Sequence, residues 1–298
     1  MRKFTERVAV VTGAGSGIGR ALAIDLAGRG ARLAISDVDT DGLAATRESC
    51  EAAGADVHAA TLDVTDRDAV FAYADEVETY FGGVDLVVNN AGVALAALAT
   101  DQTMEDIDRI VDVDWWGVAH GTQAFLPKLI ASGDGALVNI SSIFGMVAVP
   151  GQSAYNAAKF AVRGYTEAIA QEARMEDLPI TVHCVHPGGI LTNIARNAQV
   201  RGDWVDLQPA FDRIAHTTPE RCAAIILRGV TRGRARIFVG LDAWALHLAQ
   251  QTLGVAGLGL IRRVTSRLVE RGRVERATGP TAAAPEVAAT DPDETVSR

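Results

Sequence analysis

The sequence has 298 residues, 48% of them hydrophobic and 22% charged, with a formal net charge of −9. That is enough apolar material for a sizeable core, which excludes a disordered chain, and the acidic balance argues against a nucleic-acid partner, since phosphate binding needs a basic surface. Three cysteines, Cys50, Cys184 and Cys222, stand far apart without CxxC spacing; they fit neither a disulfide framework nor a zinc site and are consistent with a reducing, cytoplasmic location.

The basic start, Met1 to Arg7, could open a signal peptide, but the apolar run at 8–11 stops at Thr12-Gly13 and is too short for one. It reads as a buried strand. Beyond it, short β-branched runs alternate with Ala/Leu-rich helical patterns. Strands are predicted at 8–12, 32–36, 56–61, 85–89, 136–140, 180–185 and 236–239, and helices near 18–29, 40–53, 66–81, 103–130, 153–175 and 219–231. Asp101 and Ser153 are candidate helix caps, and Pro219 after Thr218 suits a first helical position. This alternation predicts an α/β fold: a Rossmann-like, doubly wound parallel sheet of about seven strands with helices on both faces. Residues 190–217 lack a clean period and read as a substrate loop with short helices. We expect one domain over 1–240, a helical extension over 241–272 and a disordered, Ala/Pro/Thr-rich tail over 273–298.

The first strand runs into Thr12-Gly13-Ala14-Gly15-Ser16-Gly17-Ile18-Gly19, with a helix at once behind it. Glycines let the backbone turn sharply and approach a pyrophosphate, whose charge the helix N-terminus favours. The spacing is GxxxGxG rather than GxGxxG, and alone it is equally ordinary turn chemistry. Asp37 ends the second strand, where a carboxylate can accept the hydroxyl hydrogens of an adenosine ribose and repel a 2′-phosphate. Asp39 and Asp41 follow it, with no Lys or Arg close behind; the competing reading is a helix N-cap. Ser142 precedes Tyr155 by thirteen residues, and Lys159 stands one helical turn after Tyr155. Positions i and i+4 share a helix face, so the phenol and the ammonium lie side by side. A free phenol titrates near pH 10, and a neighbouring cation lowers that value, making a usable base; Ser142 could hold a substrate oxygen. A packed tyrosine beside a surface lysine is the plain alternative.

With these motifs in place the chain resembles the short-chain dehydrogenase/reductase family, over roughly residues 5–240. The stretches that carry the likeness are 12–19, Asp63-Val64, Asn89-Asn90-Ala91-Gly92, Ser142, Tyr155 with Lys159, and Pro187-Gly188-Gly189-Ile190-Leu191-Thr192. The resemblance implies that Asp63 and Val64 face the adenine and that Asn90, with Ala91 and Gly92, lies behind the nicotinamide ribose. It further implies that Lys159 holds the ribose hydroxyls and that Ile190 and Thr192 touch the carboxamide. Asp114 stands where the family usually carries an asparagine whose backbone carbonyl completes a proton relay to the lysine, so Asp114 joins Ser142, Tyr155 and Lys159 as a candidate catalytic residue.

The cofactor implied is NAD, and the reaction is hydride transfer between a secondary alcohol and a ketone. A 3-oxoacyl-carrier reductase, which usually prefers NADPH, and a catalytically weak cofactor-binding protein are the alternatives. No metal site is expected: His183 and His186 have no ligand spacing and read as structural or surface groups, and Trp115 and Trp116 as core or subunit contacts. Val93, Ala94, Leu95, Phe144, Met146 and Val149 are expected to line a pocket for a small neutral or lipophilic substrate. A homo-oligomer, dimer or tetramer, is expected. Residues 243–261 carry no Asp, Glu, Lys or Arg, and Arg262, Arg263, Arg267, Arg271 and Arg273 follow; surface attachment to an anionic membrane is the lesser reading of this stretch and packing on the body the favoured one.

Overall fold

The computed structural model describes residues 3–192, 194, 198–201, 216–254, 256–257, 259, 261–263 and 266–267. The expected tail at 273–298, together with Arg271 and much of the 190–217 loop, lies outside the described residues. Along the chain come β1 (Val8–Thr12), α1 (Gly17–Gly28), β2 (Arg32–Asp37), α2 (Thr40–Ala52), β3 (Val57–Thr61), α3 (Arg67–Phe81), β4 (Leu86–Asn89) and β5 (Leu95–Ala96). Then follow α4 (Met104–Val111), α5 (Gly117–Ala131), β6 (Gly135–Ile140), α6 (Ser153–Met175), β7 (Ile180–Pro187) and β8 (Gln199–Val200). The series ends with α7 (Pro219–Thr231), β9 (Arg236–Val239) and α8 (Leu241–Leu253).

Seven strands form one parallel sheet in the order β3-β2-β1-β4-β6-β7-β9, and β5 pairs with β8 in a separate two-stranded sheet. Every residue of β1, β4 and β6 is buried, as expected for strands covered on both faces, whose sequences are apolar without alternation. One face packs on α1 and α7 through Leu22, Leu26, Ile226 and Leu227. The other packs on α3, α5 and α6 through Val77, Phe125, Leu129 and Ile169. After β3 the chain crosses back to place β4 beside β1, so the connections diverge between those two strands. In such sheets the crevice at the carboxyl ends of the diverging strands is where ligands bind.

Local chemistry explains most element starts. Asp39, Asp66 and Thr218 accept helical N–H groups as caps of α2, α3 and α7, with Pro219 in the first position of α7. Two expected caps are corrected. Thr103 rather than Asp101 caps α4, because with Asp106 it forms a reciprocal capping box. Ser153 lies inside α6, behind Gln152, and donates to Gln102 Oε1 at 3.0 Å. The single helix expected over 103–130 is interrupted by a π turn at Asp112–Trp116, closed by the Gly117 N–H donating to the Asp112 carbonyl. Such insertions recur at functional sites because they re-aim side chains without ending the helix.

Candidate active site

The turn between β1 and α1 comes first. Gly13 has φ +66°, and a Cβ on Gly19 would lie 2.1 Å from the Gly13 carbonyl oxygen, so this close return of the chain requires glycine. Ser16 precedes α1 without capping it through its side chain, which leaves the helix N-terminus facing outward, the arrangement that receives an anion. The floor of the turn is braced by Asn90, whose Nδ2 donates to the carbonyls of Thr12 and Gly13 at 2.9 and 3.1 Å. In return the Thr12 hydroxyl accepts from the N–H groups of Asn90 and Ala91. Asp37 lies half-buried at the same mouth, its Oδ2 accepting from the Gly15 N–H at 2.7 Å and its Oδ1 from the Asp39 N–H at 2.9 Å. Asp37 is thus tied to the glycine turn, and Asp39 does the capping. Arg20, the basic side chain against this turn, donates to the carbonyls of Gly15 and Gly42 and to the Thr46 hydroxyl. Thr192 closes the ring: its methyl lies 3.3 Å from where a Cβ of Gly17 would stand.

A second group gathers at the carboxyl end of β6. A buried polar net ties β4, β6, α5 and α6 together there. Asn89 Nδ2 donates to Asn139 Oδ1 at 2.8 Å and to Thr122 at 3.1 Å, and Asn139 Nδ2 donates to Thr166 at 3.0 Å. One turn nearer the site, the Ser141 hydroxyl donates to the Lys159 carbonyl at 2.9 Å. These bonds fix α6 against the strand, so Tyr155 and Lys159 face Ser142 across a short gap. Lys159 Nζ lies 5.6 Å from the centre of the Tyr155 ring, donates to the Ile140 carbonyl at 3.3 Å and stands 3.7 Å from Asp114 Oδ1. Asp114, fully buried on the π turn, accepts from the Val93 N–H at 2.8 Å, and its Oδ2 has no hydrogen-bond partner among the described residues.

The electrostatics differ from the expectation that Lys159 lowers the Tyr155 phenol. Burial pushes that phenol up, the Asp114 charge adds to the rise, and only the Ser142 hydroxyl opposes it. The carboxylate beside the ammonium offsets its field. Asp114 itself is raised by burial, against the pull of Lys159 and the Val93 N–H. The side chain of Val64 is buried beside Gly117, which leaves Asp63 as the exposed member of that pair. Ile190 likewise packs into the core beneath the sheet. Of the expected pocket residues, Leu95 and Met146 are instead core: Leu95 packs with Ile110 and Ala154, and Met146 with Ile143 and Val147. Val93, Ala94, Phe144 and Val149 remain partly exposed. Trp115 packs edge-on against Tyr165 at 5.2 Å, whereas Trp116 is exposed.

His186, expected as a structural or surface group, is structural: it is buried with Nδ1 3.1 Å from the Ser142 carbonyl. Two features escaped the sequence reading: Asp242, which takes the Gly189 N–H at 2.6 Å, and the Asn139-centred net, signalled by an asparagine inside an apolar strand.

Residues 7–201 match the family model for short chain dehydrogenase. The chain belongs to that family. Short chain dehydrogenases are oxidoreductases of nicotinamide dinucleotides, and the likeness extends past the matched segment. A Mycobacterium tuberculosis protein named as oxidoreductase SadH is 55% identical over 258 residues, covering 85% of this chain and 93% of that protein. Among solved structures, a short chain dehydrogenase/reductase from Burkholderia phymatum in complex with NAD superposes with a TM-score of 0.78 at 29% identity, covering 85% of this chain and 95% of the other. The structure of levodione reductase superposes with a TM-score of 0.72 at 28% identity, covering 82% and 99%. Among the described residues no helix is long and apolar enough to cross a membrane.

Proposed function

We propose that the protein is an NAD(H)-dependent oxidoreductase interconverting a secondary alcohol and a ketone, with Tyr155 as general acid and base. The observation that carries this reading is the meeting of Ser142, Tyr155 and Lys159 at the end of β6, beside a glycine turn whose mouth holds a carboxylate. When bound, the dinucleotide supplies or accepts the hydride. The turn of Gly13, Gly15, Ser16, Gly17, Ile18 and Gly19 and the start of α1 would hold its pyrophosphate, and Asp37 its adenosine ribose. A carboxylate has about four lone-pair sites, and Asp37 uses two on backbone N–H groups, leaving acceptors for ribose hydroxyls. Arg20 is committed to backbone carbonyls and a threonine, so it offers a 2′-phosphate no free cation. This favours NAD over NADP. We assign Asp63, Asn90, Ala91 and Gly92 to the same crevice, with Pro187 at the end of β7 and Gly188 and Thr192 beyond it; Ile190 serves from the core beneath them.

At the reacting carbon, Ser142 orients the substrate oxygen and Tyr155 moves the proton to or from it. A phenol held above its ordinary range is protonated at neutral pH and therefore ready to donate. Ketone reduction is then favoured near neutrality and alcohol oxidation at alkaline pH. Val93, Ala94, Phe144 and Val149 give the substrate an apolar wall, which suits a lipophilic or small neutral molecule. That a levodione reductase and an NAD complex lie among the structural neighbours supports both halves of the reading. The test is a panel of ketones and alcohols followed by NADH absorbance, run in parallel with the phosphorylated cofactor. Turnover with NADH is expected, and a consistent preference for NADPH would overturn the assignment of Asp37.

A further inference from the structure

The segment between β7 and Thr192 is held by four backbone N–H groups. Three donate to backbone carbonyls: Gly188 to Val239 at 2.9 Å, Leu191 to Thr217 at 2.9 Å and Thr192 to Ile190 at 2.7 Å. The fourth, on Gly189, donates instead to a side chain, Oδ2 of Asp242 in the first turn of α8, at 2.6 Å. Space has been cleared for that carboxylate on two sides. A Cβ on Gly188 would stand 2.2 Å from Asp242 Oδ2, and one on Gly240 would stand 2.2 Å from Oδ1. Gly240 also has φ +100°, a conformation that side chains rarely tolerate. Thus three residues, two of them forty residues or more from Gly188 in sequence, are fitted to one contact.

The helix that carries Asp242 is itself seated on the catalytic side of the molecule. Ala243 is buried against Ile143, Met146 and Val147, the turn that follows Ser142. The Phe238 ring lies between His186 and His247, at 5.3 and 4.6 Å, and His186 bonds the Ser142 carbonyl. Helix α8 therefore braces the Ser142 turn with one part and the 187–192 loop with another.

We propose that Asp242 is a positioning residue that sets the 187–192 loop for the nicotinamide end of the cofactor. This rests on the NAD(H) reading above. It places part of the site's support outside the segment that matches the family model, in the helix that follows β9. Removing the carboxylate frees the Gly189 N–H and leaves a void between two glycines, so the loop loses its fixed height over the crevice. The adenosine and pyrophosphate sites, at the β1 turn and β2, have no contact with Asp242.

The test compares Asp242→Ala and Asp242→Asn with the wild type in fluorescence titrations of NADH and in competition titrations of ADP-ribose, which lacks nicotinamide. Loss of one charge-assisted hydrogen bond corresponds to a change of about tenfold in affinity. Asp242→Ala is expected to weaken NADH by about that factor and to leave ADP-ribose within about twofold. Asp242→Asn keeps an oxygen acceptor in the same volume and should restore NADH binding. Equal weakening of both ligands, or unchanged NADH binding in Asp242→Ala, overturns the proposal while leaving the NAD(H) reading intact. Should Asp242→Ala fail to fold, the asparagine variant decides alone: an NADH affinity about tenfold below wild type with an unchanged melting temperature would contradict the account. A wild type that binds no NADH overturns both readings together.

Discussion

Asp114 and Tyr155 stand on different helices, yet the charge of the first adds to the rise that burial gives the phenol of the second. With Asp114 Oδ1 3.7 Å from Lys159 Nζ, the carboxylate offsets the positive field that would otherwise favour a phenolate. Replacing Asp114 with Asn removes the charge and keeps an acceptor for the Val93 N–H. The Tyr155 phenol should then ionise at lower pH, and the ascending limb of kcat/KM for oxidation should move toward lower pH by an amount set by the lost repulsion. A limb that does not move would show that Asp114 carries no charge in the working enzyme. Asp37 makes the matching case for the cofactor. Asp37→Ser should weaken NAD and relieve the repulsion against a 2′-phosphate, so the ratio of kcat/KM values for NAD and NADP should fall by about tenfold or more. An unchanged ratio would mean that discrimination lies elsewhere. The types and spacing of these residues were legible in the sequence, and so was the departure at position 114. The direction of the Asp114 side chain was not, because it depends on the π turn that presents it.

At the scale of elements, the site exists because β4, β6, α5 and α6 are locked by polar groups in an otherwise apolar interior. Asn139 occupies the centre of that lock, fully buried and bonded to both Asn89 and Thr166. Asn139→Ala removes one bond each from Asn89 and Thr166, which keep Thr122 and the Val162 carbonyl as partners, so the loss is about 0.5–1.5 kcal/mol per bond. The urea midpoint should fall accordingly, and turnover should fall further than NADH binding, because α6 carries Tyr155, the proposed proton donor. Full stability in this variant would show that the net is dispensable. Sequence periodicity located five helices, α1, α2, α3, α6 and α7, as single units, because apolar spacing and caps act locally. The region 103–130 defeated it: the π turn keeps a helical pattern while shifting the backbone by one residue. The pairing of β5 with β8 was equally hidden, since two-residue strands leave no pattern.

Across the whole molecule, the parallel sheet and its crossover were readable because strands buried on both faces are written as continuous apolar runs. The C-terminal extension was expected to be helical, but where α8 seats was less readable, since long-range contacts of Asp242 and Phe238 fix it. Burial also makes stability depend on pH. His183 and His186 are both fully buried, and burial lowers each from 6.5 to about 4. Between those values the unfolded chain binds protons that the folded one refuses, so the stabilising contribution is whole above about pH 6.5 and is lost as pH falls toward 4. Each histidine accounts for at most on the order of 3 kcal/mol over that window. The melting temperature should therefore drop steeply from pH 7 to pH 5, and His183→Gln should flatten the drop. A melting temperature constant across the window would contradict the burial of both rings.

In the proposed mechanism Tyr155 moves the proton while other residues hold the cofactor. Tyr155→Phe keeps the ring and its edge-on contact with Phe144, 6.3 Å between centres, and removes only the hydroxyl. The most direct measurement is paired on this variant: NADH affinity by fluorescence, and ketone-dependent NADH oxidation on a substrate the wild type accepts. Affinity within about twofold of wild type is expected, with turnover reduced by at least about a hundredfold, the usual contribution of a positioned general acid. Turnover comparable to the wild type would contradict the mechanism.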